Sequence, residues 1–497
     1  MSTRLCTQHH ISAMAENGSQ KITPGSLDVE QQSFDDAAER ALVWKIDLRL
    51  IPYLTFLYLL SYLDRASIGN AKIEGLAVDL RLTDQQYLWT LTAFFFPYAF
   101  FEVPSNILMK SLRPSIWLPS IMIAWGTCMT LMGLVKNFEG LLTARFFLGV
   151  AESGLFPGVT YYLSCWYKKR EYGVRTAIFA SASPCAGAFG GLLAAGLAQL
   201  DGAGGLAGWA WIFIPEGLAT VVAGLASFWM VPDFPDSATF LTQDERDRTI
   251  ARLQADSQLS AGHFEAFHMR RLWTAIRDWK TPVAMVIYMG LVGPANGLTL
   301  FLPSIIRDLG YTSTHAQLLT VPPYAVSFLV TVAVGLAGDK TGQRGKFAVP
   351  CALVAIVGYI MNIIPSSGPG VRYAGVYLAA VGIYPAVANS ISWVANNVEG
   401  SYKRGIVMAI MISWGNLQGV VISNIYRAKD APQYVLGHCV VVGYLVIASI
   451  ASACFSLALA AENRKRERGE RDYRIKTGTE EERAEMGDLH PSFRYTI

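Results

Sequence analysis

Asp244-Glu245-Arg246-Asp247-Arg248 lies inside a polar stretch running from Pro232 to Lys280. So dense a run of charge cannot stay in lipid, and it divides the chain. Before it, long apolar stretches lie near residues 46–67, 86–109, 115–135, 139–165, 174–199 and 209–231. After it, they lie near 282–305, 317–338, 346–365, 372–395, 405–426 and 435–460. A hydrocarbon core about 30 Å thick needs roughly 20 apolar residues in a helix, so each stretch is long enough to span. The pattern predicts an all-α membrane protein with twelve transmembrane helices in two six-helix bundles. Its expected parts are a disordered tail (1–43), a first bundle (44–231), a central loop (232–280), a second bundle (281–461) and a tail (462–497).

Composition agrees. Of 497 residues, 52% are hydrophobic and only 16% charged. A soluble chain needs nearer a quarter charged residues to face water. A net charge of +3 gives no reason to expect a nucleic-acid partner. The seven cysteines show no paired spacing for a disulfide or zinc site. No nucleophile–base pair, metal cluster or phosphate loop stands out, so neither an enzyme nor a cofactor is expected. The first 40 or so residues lack the short apolar core of a signal peptide, leaving the first span to direct insertion.

Loop charge sets the expected orientation. With the N-terminus inside, eighteen Lys and Arg residues fall in inner loops, among them Lys168, Lys169, Arg170, Arg246, Arg248, Lys340 and Arg344. Eight fall in outer loops. That bias places both termini in the cytosol. Glycine pairs at close-packing spacing, Gly154-x-x-x-Gly158 and Gly187-x-x-x-Gly191, suit helices that slide closely past one another.

Charges inside a membrane are costly and each needs a reason. Asp64 and Arg65 lie near the outer end of the first span, and Arg145 and Glu152 in the fourth. Arg145 and Glu152, seven residues apart, share one helix face. Two arginines and two carboxylates at neighbouring depths can bind a carboxylate and exchange a proton. An arginine fork grips a carboxylate through paired charge-assisted hydrogen bonds. The competing reading is a purely structural cluster of ion pairs. Glu102 lies toward the inner end of the second span, where gating, capping and substrate contact all fit. Glu216 follows Pro215 and fits a simple helix-to-helix contact. The second half offers no mid-membrane charge but supplies Asn296, Tyr324, Asn389, Asn396, Asn397, Asn416 and Gln418 for the polar part of a substrate. Each of these also fits an interhelical hydrogen bond.

The loop after the eighth span reads Gly335-x-x-x-Asp339-Lys340-x-Gly342-x-Arg344 and resembles the loop motif of the major facilitator superfamily. Asp339 and Arg344 are therefore gating candidates beside Glu102. A narrower resemblance rests on Tyr62-Leu63-Asp64-Arg65-Ala66-Ser67-Ile68-Gly69-Asn70-Ala71, Phe101-Glu102-Val103-Pro104-Ser105-Asn106 and Arg145-Phe146-Phe147-Leu148-Gly149-Val150-Ala151-Glu152. These resemble the anion:cation symporter family. Leu319-Thr320-Val321-Pro322-Pro323-Tyr324 and Trp393-Val394-Ala395-Asn396-Asn397 resemble its fungal allantoate and nicotinate permease branch. The turn Lys110-Ser111-Leu112-Arg113-Pro114 departs from the superfamily's glycine–aspartate pattern.

The resemblance implies proton-coupled uptake of a small organic anion by a functional monomer, most simply at the plasma membrane. It implies Asp64 and Glu152 as protonation sites, and Arg65 and Arg145 as organisers of the substrate carboxylate. Asn296, Tyr324, Asn396 and Asn416 are the further substrate-binding candidates. A nicotinate-like monocarboxylate or a ureide acid is the expected cargo, and protons and the lipid bilayer are the other partners. The alternative is an exporter of an acidic secondary metabolite by proton antiport, since fold does not fix direction.

Overall fold

A computed structural model of the protein describes residues 24–255, 273, 275–364, 368–399, 401–473 and 487–497. The beginning of the expected N-terminal tail (1–23), most of 256–274 in the central loop, and 474–486 of the C-terminal tail lie outside the described residues. Two compact units are distinguished, residues 1–49 and residues 50–497; the second holds the helical bundle.

Fifteen α-helices follow one another among the described residues. In chain order they are α1 (Pro24–Ile73), α2 (Leu76–Asp79), α3 (Asp84–Leu112), α4 (Pro114–Met132), α5 (Phe138–Glu152), α6 (Leu155–Ser164), α7 (Lys169–Leu197) and α8 (Gly208–Met230). Then come α9 (Gln243–Ala255), α10 (Lys280–Arg307), α11 (Ser313–Thr341), α12 (Gly345–Ile363), α13 (Pro369–Asn396), α14 (Ser401–Ile422) and α15 (Val435–Glu467). α1 begins inside the stretch where the sequence leads one to expect a disordered tail, so residues 24–43 are helical.

Ten of these helices are long and apolar enough to cross a membrane. The expected second and fourth spans fall on α3 and on the α5–α6 pair. α3 carries Glu102 and two prolines, and α5 stops at Glu152 before α6 restarts at Leu155. Polar residues and a break, both at the candidate site, dilute the apolar signal there. Large side chains such as Phe100, Val222, Trp229, Leu329 and Leu457 point outward, as lipid-facing residues do.

Local chemistry sets several helix ends. Thr83 and Gln86 form a reciprocal capping box on α3, with Gln86 N donating to Thr83 Oγ1 at 3.2 Å and Thr83 N to Gln86 Oε1 at 2.9 Å. Asn137 Oδ1 caps α5 through Gly140 N at 2.9 Å. α11 ends at Gly342, whose φ of +65° is the left-handed turn that glycine accepts without strain. At the departing turn after α3, Arg113 takes φ +69°, where a glycine would be easier to place.

In the first half α4 packs on α8 and α3 on α5; in the second, α12 packs on α13 and α15, and α10 on α14 and α15. Across the halves α7 meets α11 and α3 meets α14. The second glycine pair explains the α7–α11 contact: a Cβ at Gly187 would sit 2.8 Å from the Tyr324 ring, and one at Gly191 2.5 Å from the Gln317 carbonyl. Two helices approach closely only because both positions lack a side chain.

The end of the chain does not behave as a free tail. α15 continues to Glu467, and residues 487–497 fold back onto the ends of α10, α13, α14 and α15. Arg466 donates to the carbonyls of Asp488, His490 and Phe493, and Asn463 holds Tyr495 through both backbone directions. Lys280 and Lys403 both pair with Asp278 and Asp488. Burial opposes charge at Asp278, but the two lysines outweigh it and hold that carboxyl below the usual carboxylate range.

Candidate functional site

A partly open cavity lies between the two halves. α1 supplies Tyr58, Tyr62 and Arg65, α3 supplies Tyr98, and α10 supplies Tyr288 and Asn296; Ser183 of α7, Tyr384 of α13 and Asn416 of α14 complete the polar part of the wall. The five tyrosine rings give a flat-sided aromatic lining with hydroxyl tips. Tyr62 hydrogen-bonds Thr299, and the Tyr384 hydroxyl lies 3.4 Å from Tyr62 and 3.2 Å from Thr299. These bonds tie α1 to α10 and α13 directly beside the cavity.

Among the described residues, Arg65 is the one cationic side chain in this wall. Its guanidinium lies over the rings of Tyr98 (4.7 Å) and Phe94 (5.2 Å), and Nη2 donates to Glu152 Oε1 at 2.9 Å. Ser61, one helical turn before Arg65, donates to the same Oε1 at 2.7 Å. Both ion-pair members are buried, and Arg65 Nε and Glu152 Oε2 have no partner among the described residues. The pair therefore has unused hydrogen-bonding capacity on both sides.

Adjacent residues on a helix point about 100° apart, which separates Asp64 from Arg65. Asp64 faces α4 and α8 instead of the cavity: Trp125 Nε1 and Thr220 Oγ1 both donate to its Oδ2, at 3.0 and 2.9 Å. Arg145 is buried, lies over Phe94 at 5.9 Å, and is not part of the cavity wall; its Nε and Nη2 have no partner among the described residues. Of the four expected charges, the structure thus brings Arg65 and Glu152 together and sets Asp64 and Arg145 to the side.

The second-half candidates also divide. Asn296 and Asn416 line the cavity. Tyr324 stands one layer behind it, edge-on to Tyr384 at 5.7 Å. Asn396 is the last residue of α13, beyond Ile391, and is not among the residues of the wall. Its neighbour Asn397 is occupied by the chain end: Nδ2 donates to the Thr496 carbonyl and Oδ1 accepts from Thr496 N, at 2.9 and 2.8 Å.

Glu102 is fully buried and meets Asn416 Nδ2 at 3.4 Å, a contact between α3 and α14 that joins the halves beside the cavity. Asp339 and Arg344 form a close ion pair packed against Gly173 at the start of α7, so they too sit between the halves. Among the described residues no group of three or more His, Cys, Asp or Glu is placed to hold a metal.

The sequence reading missed Ser61 and the tyrosines. Ser61 is legible as the residue one turn from Arg65. The tyrosines come from four separate helices, and only assembly gathers them.

Comparison with known proteins decides the family. The Major Facilitator Superfamily profile matches residues 54–423. The chain belongs to the major facilitator superfamily. Among curated superfamily members it is 36% identical over 483 residues to the MFS-type transporter cnsO of Penicillium expansum, covering 93% of this chain and 92% of that one. It is 34% identical over 446 residues to the MFS transporter prlL of Fungal sp. (strain NRRL 50135), covering 88% and 90%. The structure of the proton:xylose symporter XylE, bound to 6-bromo-6-deoxy-D-glucose, shares the superfamily fold at a TM-score of 0.63 and 13% identity, over 82% of this chain and 94% of that one. The protein is a multi-pass membrane transporter of this superfamily.

Proposed function

We propose that the protein is a proton-coupled symporter that imports a small organic anion, of the nicotinate-like monocarboxylate or ureide acid type, across the plasma membrane. The observation that supports this most is the buried Arg65–Glu152 pair, whose arginine lies on the wall of a tyrosine-lined cavity. The resemblance of the segments around Asp64, Glu102 and Glu152 to the anion:cation symporter family points the same way.

The geometry suggests a mechanism. Breaking a buried ion pair by removing one partner costs about 3–5 kcal/mol, because the other charge is left without compensation. A proton on Glu152 and a carboxylate on Arg65 together avoid that cost: the proton neutralises Glu152, and the substrate takes its place on the guanidinium. Glu152 Oε2 is free to accept the proton while Oε1 keeps its bond from Ser61. Proton and anion then bind favourably as a pair and poorly alone, which is the requirement for symport. Asn296 Nδ2, which has no partner among the described residues, is available to a second polar group of the substrate.

A binding measurement tests this without transport. A ligand at a hundred times its Kd stabilises the folded state by about 2.7 kcal/mol, a shift readily seen in thermal melting. Nicotinate and related monocarboxylates are expected to raise the melting temperature of the purified protein at acidic pH more than at neutral pH. Nicotinamide, which lacks the carboxylate, is expected to leave it unchanged. Equal stabilisation by acid and amide would rule out the anion reading.

A further inference from the structure

Among the described residues, the second half contributes to the cavity wall only through α10, α13 and α14. Residues 487–497 are bonded to one end of each of these helices, the end that loop charge assigns to the cytosol. We propose that these helix ends, with that of α15, form a docking surface for residues 487–497. The docked segment acts as a strap that holds the second-half wall of the cavity together.

The strap is gripped in three ways. Asp488 is a buried carboxylate shared by Lys280 of α10 and Lys403 of α14, with Lys403 Nζ at 2.8 Å. Asp278, just before α10, pairs with the same two lysines at 3.3 and 2.6 Å. The start of α10 is thereby tied to the start of α14. Thr496 is held at the end of α13. Its carbonyl accepts from Trp393 Nε1 and Asn397 Nδ2, both at 2.9 Å, and its N–H donates to Asn397 Oδ1 at 2.8 Å. Asn463 of α15 grips Tyr495 in the same manner, at 2.9 Å in both directions. A buried backbone that belongs to no helix or sheet must find its hydrogen-bond partners elsewhere. Two asparagine carboxamides, each with a donor and an acceptor side, supply what a neighbouring strand would. Arg466 adds bonds to the carbonyls of Asp488, His490 and Phe493 and to the Tyr495 hydroxyl.

Short levers connect these contacts to the cavity. Eight residues, about 12 Å of helix, separate Lys280 from Tyr288 of the wall. On α13, six residues separate Ile391 of the wall from Asn397. Alternating access rests on each half moving largely as a rigid body. Helices free to shift singly would distort the wall instead of opening it. All the contacts above tie second-half helices to one another, so the strap stiffens that half, and its release loosens the wall.

Hydrogen exchange of the full-length protein in nanodiscs, read segment by segment by mass spectrometry, tests this. In the wild type, the amides of Tyr495 and Thr496 are expected to exchange slowly, because both donate to buried asparagines. Asp488→Asn is expected to speed exchange about tenfold or more in 487–497. The strap-side turns of α10, α13 and α14 should speed up with it, while α4 in the first half keeps its rate. Faster exchange in 487–497 with unchanged helix ends would overturn the proposal, since the segment would then ride on the bundle without holding it. Unchanged exchange everywhere would overturn it as well. Should Asp488→Asn not fold, a protease site inserted within 474–486 allows the strap to be cut from the folded protein and washed away. The same helix ends should then exchange faster, and unchanged ends again contradict the strap. No cargo is involved, so the outcome is independent of the symport reading.

Discussion

Arg65→Ala is expected to abolish substrate binding and uptake while the protein still reaches the cell surface. A guanidinium fork makes two charge-assisted hydrogen bonds to a carboxylate, each contributing about 1.5–3 kcal/mol, so their loss weakens affinity by roughly a hundredfold or more. Alanine also leaves Glu152 buried without its cation. Arg65→Lys keeps the charge but not the fork, and an intermediate loss is expected. Arg145→Ala makes the contrast informative, because Arg145 lies outside the cavity wall. Binding by the melting assay and uptake by labelled substrate should both fall more for Arg65→Ala than for Arg145→Ala. The opposite order would move the anion site away from this cavity.

Glu152→Gln separates exchange from accumulation. Glutamine resembles the protonated acid in shape and can still accept the bond from Ser61, while Arg65 is released for substrate. In proteoliposomes, exchange of internal for external substrate is expected to persist. Accumulation driven by a pH gradient is expected to vanish. One pH unit stores about 1.4 kcal/mol per proton, enough for about tenfold accumulation in the wild type. The pH dependence of binding should flatten in the same variant. Gradient-driven accumulation that survives Glu152→Gln would show that the coupling proton does not pass through this residue.

Helices and charges were legible in the sequence to different degrees. The apolar stretches and the polar divide at 232–280 anticipated an all-helical membrane fold, because span length follows directly from bilayer thickness. The same rule weakened at α3 and α5–α6, where Glu102, Arg145 and Glu152 interrupt the apolar pattern. Rarity marked all four membrane charges, yet depth along the helix says nothing of the direction around it. Arg65 and Asp64 are neighbours in sequence and face different partners in space. Glu216, which fits a helix-to-helix contact in the sequence, makes one: it meets Ser67 of α1 from α8. Asn397 was offered as a ligand residue because a polar side chain in a span needs a partner; its partner is the chain end, which no local pattern reveals.

The most direct test of the account is uptake of labelled nicotinate by yeast lacking its own nicotinate permease and expressing this protein, at acidic external pH, with and without a protonophore. Uptake that the protonophore collapses and Arg65→Ala abolishes is the predicted result. Contradiction would be a surface-expressed protein that takes up neither nicotinate nor any other carboxylate in a panel, or that takes one up regardless of the proton gradient.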